Sequence, residues 1–298
     1  MGRKSKNSFV IQGSILAFAG ILVRIIGLIY RIPLTRILGD EGNGYYSTAY
    51  DIYNVLILLS SQSMPLAVSK IVSEKLERRQ YKNAYKIFKG ALFYGAVLGV
   101  SFGLFAFLGA DWLATSVYKS QPAAVALKVL APTLTVACIL GVMRGYFQGM
   151  GTMLPTAISQ IIEQVFNAVI SIVGASVLFG IGTKAGEKSG KELLGPAYGA
   201  AGSTLGTVVG SLSGLLFLLF VIFLYKNVIR KQLKRDRTQN VESYSFLLKA
   251  LLLTAIPVVF STAVYNINQI IDLTIFNHVM ESQGYVEKEY MALQGIYT

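Results

Sequence analysis

Two arginines, Arg24 and Arg31, lie inside the first long apolar stretch of the chain, which runs from Phe9 to Leu38. A charged side chain near the middle of a membrane helix costs on the order of 3 kcal/mol, so it is kept where it faces protein or water. In an α-helix, their seven-residue spacing places the two side chains within about 20° of each other and roughly 10 Å apart along the axis. Guanidinium groups match phosphate oxygens, so the pair predicts a water-filled cavity that receives an anionic group.

Two later apolar stretches also carry polar side chains at helical spacings. Glu163 and Asn167 share one face of the fifth stretch, and Asn268 and Asp272 share one face of the seventh. Three interpretations of Glu163 remain open: a buried partner of an arginine, a residue of a cavity or ion-coupling site, or an interfacial position. For Asn268 and Asp272, a polar patch toward a cavity and a hydrogen-bonded contact between helices are equally favoured.

Two further charges have structural interpretations. Asp51 lies near the outer end of the second apolar stretch, at a depth comparable to that of Arg31. An ion pair between them would lower the cost of both charges. Arg144 belongs to the cytoplasmic end of the fourth stretch and is interpreted as an interfacial anchor.

The composition is that of an integral membrane protein. The 298 residues are 53% hydrophobic and 14% charged, and the mean hydropathy is +0.55. The net charge of +12 resides in loops between apolar stretches, which argues against a nucleic-acid partner. A single cysteine, Cys138, and a single histidine, His278, argue against an internal disulfide and a metal site. No combination of nucleophile, base and orienting acid stands out, so we expect neither an enzyme nor a cofactor.

Seven stretches are long enough to cross the roughly 30 Å hydrocarbon core of a bilayer. They are residues 9–38, 46–73, 88–110, 123–147, 155–181, 197–225 and 246–277. Basic residues are concentrated in alternate loops, which the positive-inside rule assigns to the cytoplasm. The sequence therefore predicts an all-α, multi-pass protein of the cell membrane with a cytoplasmic N-terminus.

Glycine and proline mark how these helices connect and pack. The turn at Gly149 and Gly151, followed by Pro155 in a first helical turn, predicts a tight hairpin between the fourth and fifth helices. Pro65 lies inside the second apolar stretch and predicts a kink there. The sixth stretch repeats glycine every fourth residue, at Gly202, Gly206, Gly210 and Gly214, a pattern typical of close helix packing.

Several segments together resemble the stage V sporulation protein B type of polysaccharide flippase. They are Arg24 to Arg31 with Thr35 to Gly42, Met64 to Lys70, Arg144 to Gly149, and Leu154 to Gln164. That group belongs to the multidrug, oligosaccharidyl-lipid and polysaccharide exporter superfamily, which includes the lipid II flippases. The resemblance extends from about residue 9 to 277.

The resemblance implies two six-helix lobes around a central cavity that opens alternately to each side. Residues 1–237 would then form the N-terminal lobe, with a basic cytoplasmic linker at 226–245, and residues 246–298 would begin the second lobe. We expect the remainder of that lobe to be a missing partner that belongs to the same native chain. Arg24 matches an arginine thought to hold pyrophosphate in the lipid II flippases, Arg31 matches the sporulation type, and Leu58 occupies the approximate place of a cavity arginine in the lipid II group.

These observations lead to one principal hypothesis. The chain would move an undecaprenyl-pyrophosphate-linked saccharide, a precursor of cell wall, peptidoglycan or polysaccharide, from the inner to the outer leaflet. Arg24 and Arg31 would bind the pyrophosphate, while Glu163, Asn167, Asn268 and Asp272 would contribute to the substrate site. The alternatives are a cation-coupled multidrug exporter of the same fold and a non-transporting scaffold for envelope or spore assembly.

Overall fold

The computed structural model describes the backbone of residues 3–238 and 241–297. The side chains at positions 3–10, 117, 262–270, 273, 288, 295 and 297 lie outside that description. All the regular structure described is helical. The elements are α1 (Arg3–Ser60), α2 (Met64–Glu77), α3 (Tyr81–Leu108), α4 (Ala110–Trp112), a π-turn (Leu113–Val117), α5 (Ala123–Gly149), α6 (Leu154–Ser189), α7 (Leu194–Arg235), α8 (Tyr244–Ser282) and α9 (Glu287–Tyr297).

Six of the described segments are long and apolar enough to cross a membrane, and the first contains two of the predicted spans. Helix α1 is interrupted at Gly39, whose φ of 65° lies in the left-handed region that favours glycine. The backbone N–H of Met153 donates to Gln12 near the start of α1, while Pro65, just after its end, packs on Gly145. The first and last residues of α1 therefore lie on the same side of the helix bundle, so the chain reverses direction near Gly39.

The second predicted span, 46–73, is wrong in one respect. The helix ends at Ser60, and a turn at 61–63 precedes α2, so Pro65 occupies the first turn of a new helix rather than the interior of an old one. Its missing N–H is tolerated there, and the predicted kink is replaced by a break between two helices. The predicted hairpin is present, with four residues, 150–153, between α5 and α6.

Helix α5 lies at the centre of the bundle and contributes to two apolar clusters. In one, Leu127 and Leu134 pack with Tyr45 of α1 and Met291 of α9. In the other, Phe147 packs with residues of α2, α3, α7 and α8. By contrast, large apolar side chains on the surface of the bundle are exposed, including Leu28 at 70% exposure and Phe93 at 72%. A surface of this kind suits a hydrocarbon environment, as expected for a multi-pass membrane protein.

The glycine repeat brings α7 against α6, as its spacing predicts. A Cβ atom at Gly202 would lie 2.1 Å from the carbonyl oxygen of Gly174, and one at Gly210 would lie 2.5 Å from that of Glu163. Since real Cβ atoms do not approach so closely, the two helices can touch along this line only where α7 has no side chain. The contact fixes the position of the polar face of α6.

The end of the described chain packs on the other helices. The buried residues Leu247 and Leu251 of α8 belong to the same cluster as α2 and α3. On α9, Met291 lies against Gly44 of α1. The predicted division into lobes at residues 237 and 246 stays a prediction.

Candidate functional site

A cavity of about 380 Å³ lies where α1, α5, α6 and α7 meet. Its described lining residues are Gly20, Val23, Arg24, Arg144, Gln160, Glu163, Gln164, Asn167 and Thr207. Four of its seven polar or charged lining residues come from one face of α6, which α7 can approach because of its glycines. Helix α1 closes the opposite side, where Gln164 lies 3.4 Å from the Cβ position of Gly27. The cavity is therefore a polar space within an apolar bundle.

Arg144 and Glu163 form an ion pair at this cavity. The Nη2 of Arg144 donates to Oε2 of Glu163 at 2.6 Å, and its Nε donates to the hydroxyl of Ser159 at 3.0 Å. The second carboxylate oxygen accepts a 2.9 Å hydrogen bond from Ser211 of α7. The side chains of the pair are 15% and 26% exposed. Three helices are thus connected by one carboxylate that has hydrogen-bond partners on both oxygens.

Asn167 is oriented by a neighbour on its own helix. Its Oδ1 lies 2.9 Å from the hydroxyl of Ser171, which also lies 2.8 Å from the carbonyl oxygen of Ser203. With the amide oxygen facing Ser171, the two N–H groups of Asn167 are the donors that remain for the cavity. Amide donors of this kind suit an anionic or carbonyl-bearing ligand.

The charges of the described lining residues do not balance. Arg24 and Arg144 contribute two positive charges and Glu163 one negative charge, which leaves a net charge of +1. Glu163 is bound by Arg144, and no carboxylate among the described residues lies within ion-pair distance of Arg24. The guanidinium of Arg24 is therefore the charge that a ligand would meet.

The structure brings together only some of the residues predicted from sequence. Arg24, Glu163 and Asn167 line the same cavity. Arg31 and Asp272 are exposed and are not among the described residues that line it. The side chain of Asn268 lies outside the described residues. The predicted roles of these residues in binding substrate stay predictions.

The predicted pair between Arg31 and Asp51 also stays a prediction. Asp51 is 8% exposed, on the second half of α1, whereas Arg31 belongs to the exposed face of the first half. Arg31 and Arg24 do share a helical face, but two turns of helix separate them. Although both arginines share a face of α1, only Arg24 lines the cavity among the described residues.

The interpretation of Arg144 as an interfacial anchor is wrong, because its side chain turns inward to Glu163. Hairpin symmetry could have identified this arrangement. Arg144 lies six residues before the turn at 150–153 and Ser159 lies six residues after it, so the two face each other across antiparallel helices. Glu163 is one helical turn deeper and within reach of a long arginine. Thr207, which the sequence did not single out, contacts both the cavity and the hydroxyl of Tyr50.

Comparisons with known proteins agree with this architecture. The chain is 30% identical to the stage V sporulation protein B of Bacillus subtilis over 156 residues, which cover 52% of this chain and 30% of that protein. It is 26% identical to the lipid II flippase MurJ of the same organism over 163 residues, again 52% of this chain and 30% of the relative. The matched region is thus less than a third of each relative.

A solved structure extends the likeness over nearly the whole chain. It is a MOP superfamily transporter from Pyrococcus furiosus, described as having a binding pocket of reversed polarity. The TM-score is 0.63 at 15% identity, and the match covers 98% of this chain and 68% of the other. At this identity the likeness establishes the fold. Residues 10–298 match the family described as polysaccharide biosynthesis protein, and the chain belongs to that family.

Proposed function

We propose that this protein moves a lipid-linked saccharide across the membrane, with the pyrophosphate of an undecaprenyl carrier as the group that the cavity binds. Family membership and the likeness to a lipid II flippase support a transport role. The observation that carries the choice of substrate is the uncompensated charge of Arg24 in a cavity whose only described carboxylate is bound by Arg144. A cavity with a net positive charge attracts anions.

The geometry indicates how the substrate would be held. Arg24 would bind the pyrophosphate through its planar guanidinium, and Asn167 would add neutral donors from the facing helix. Arg31, roughly 10 Å further along the same face of α1, would meet the head group as it moves toward the outer leaflet. Asn268 and Asp272, on α8, would line the path on the side of the second lobe.

Alternating access requires a partner lobe. In transporters built from repeated halves, the substrate site lies near the membrane midplane and the halves rock around it. Here the cavity lies between α1 and the α5–α6–α7 group, so the lobe that continues from α8 would close its remaining side. The bilayer supplies the lipid carrier laterally.

A transport assay separates this proposal from a multidrug exporter of the same fold. The purified protein is reconstituted, and translocation of the lipid-linked saccharide is measured beside efflux of a cationic dye. Replacing Arg24 with alanine should abolish saccharide translocation and leave dye efflux unaffected. Arg36→Ala, on the same helix and also exposed, is the matched control. Loss of dye efflux with intact saccharide translocation would support the exporter instead.

The scaffold hypothesis makes a different prediction for a conservative change. A scaffold needs no planar, bidentate donor, so Arg24→Lys would be harmless to it. A pyrophosphate site should lose affinity on the same change, because lysine presents a compact point charge instead of a planar fork. Complementation of a transport defect, combined with membrane abundance of the variant, distinguishes the two.

A further inference from the structure

A second, strongly basic pocket of about 740 Å³ lies at the opposite surface of the molecule from the Gly39 turn. It opens between the α2–α3 turn and the end of α7. Four of its seven described lining residues are arginines, Arg78 and Arg79 from one wall and Arg235 and Arg237 from the other, and none is a carboxylate. Positive charge facing positive charge across a gap is unfavourable unless an anion lies between.

The two walls are held together by contacts that do not involve these arginines. Asp236, only 7% exposed, accepts hydrogen bonds from the backbone N–H of Lys82 at the start of α3 and from the N–H and hydroxyl of Thr238. Nearby, Lys75 of α2 forms a 2.5 Å ion pair with Glu242, whose carbonyl oxygen accepts from Lys86 at 2.6 Å. These contacts fix the backbone of the two walls, and the side chains of all four arginines are exposed.

The positive charges of this pocket are largely uncompensated. Arg78 pairs with Glu74 at 3.1 Å, in an exposed contact. Among the described residues, none of the ion pairs reaches Arg79, Arg235 or Arg237. Arg79 also adopts a φ of 58°, a conformation in which glycine or asparagine would be less strained. Guanidinium groups on two walls of one pocket can donate hydrogen bonds to the same phosphate.

We propose that this pocket binds a phosphate-bearing anion, supplied either by the head group of an anionic lipid or by a soluble phosphate compound. The pocket lies at the end of α7, one of the helices long and apolar enough to cross a membrane, which suits the first source. The exposure of its four arginines suits both sources. This site is distinct from the cavity of Arg24 and does not depend on the function proposed for that cavity.

Binding is measured on the full chain in neutral detergent with two probes, phosphatidylglycerol and inorganic pyrophosphate. The test variant, Arg79→Gln with Arg237→Gln, removes one arginine from each wall. The control, Arg230→Gln with Lys231→Gln, removes the same charge from the same end of α7 but outside the pocket. The test pair should weaken binding of at least one probe by roughly tenfold to thirtyfold, and the control pair by much less. The probe that responds identifies the source.

A third variant distinguishes binding in a preformed pocket from non-specific attraction to surface charge. Asp236→Asn makes the region more positive, so non-specific attraction predicts tighter binding. A pocket held open by Asp236 predicts weaker binding, because its walls lose their link. Equal weakening by the test and control pairs, no response to either probe, or tighter binding in Asp236→Asn would each overturn the proposal.

Discussion

Neutralising Arg144 and Glu163, singly and together, measures how much their ion pair stabilises the helix bundle. Arg144→Gln and Glu163→Gln remove charge while keeping most of the side-chain volume. Glutamine at 163 also retains an oxygen that can accept from Ser211. The double-mutant cycle therefore isolates the charge interaction from packing and from the neighbouring hydrogen bond.

The expected coupling energy follows from distance and burial. At contact distance, two unit charges attract by about 4 kcal/mol at an effective dielectric constant of about 20, but desolvation offsets much of this. Fully buried pairs cost about 3–5 kcal/mol when one partner is removed, whereas exposed pairs contribute about 0.2–1 kcal/mol. With side chains 15% and 26% exposed, the pair lies between these limits, and we expect a coupling of about 1–3 kcal/mol.

The molecule contains its own control. Lys128 and Asp111 form an ion pair with nearly the same N–O distance, 2.7 Å, but their side chains are 38% and 66% exposed. The same cycle with Lys128→Gln and Asp111→Asn should give less than about 1 kcal/mol. Both are measured by equilibrium unfolding in mixed detergent and dodecyl sulfate micelles. A coupling at the cavity no larger than that of the exposed pair would refute the view that Glu163 is held there by Arg144.

Further predictions concern helix packing and the α7–α8 linker. Gly210→Ala places a Cβ 2.5 Å from a backbone oxygen of α6 and should cost about 1–3 kcal/mol of stability. The control Gly180→Ala meets open space and should be neutral or stabilising. Thermal unfolding of the two variants measures the difference. Burial acts to raise the pKa of Asp236, but hydrogen bonds from Thr238 and the backbone of Lys82 outweigh it and lower the pKa below its usual value. A lowered pKa stabilises the folded state at pH values above the unfolded pKa, and this stabilisation is lost as the pH falls through the folded pKa. Wild type should therefore exceed Asp236→Asn in stability by about 1–2 kcal/mol near neutrality, and this difference should shrink once the pH falls below the usual carboxyl pKa of about 4. A stability difference that persists in acid would contradict this ionised linkage.

Much of the fold could be predicted from the apolar stretches and from the positions of glycine and proline. Long apolar stretches fix the number and order of helices because unsatisfied backbone groups are costly in lipid. The glycine repeat and the turn before Pro155 are local signals with geometric consequences, and both predictions are confirmed. The break at 61–63 was not predicted, because the short polar run Ser61-Gln62-Ser63 lies between apolar segments long enough to be taken as one span.

The site was predicted less completely, for a physical reason. Helical spacing shows which residues share a face, but not which neighbouring helix they meet or at what depth. Arg144 therefore resembled an anchor until the hairpin placed it opposite Ser159 and Glu163. Arg31 shares a face with Arg24, yet does not line the same cavity among the described residues.

The cavity of Arg24 is proposed to bind the pyrophosphate of a lipid carrier through its net positive charge. The most direct test of this proposal is the Kd of undecaprenyl pyrophosphate for wild type, Arg24→Gln and Glu163→Gln. Removing Arg24 should weaken binding by about 2 kcal/mol, or roughly thirtyfold, whereas removing the charge of Glu163 frees Arg144 and should tighten it. Changes of opposite sign would support the account. Unchanged binding in Arg24→Gln, or weaker binding in both variants, would contradict it.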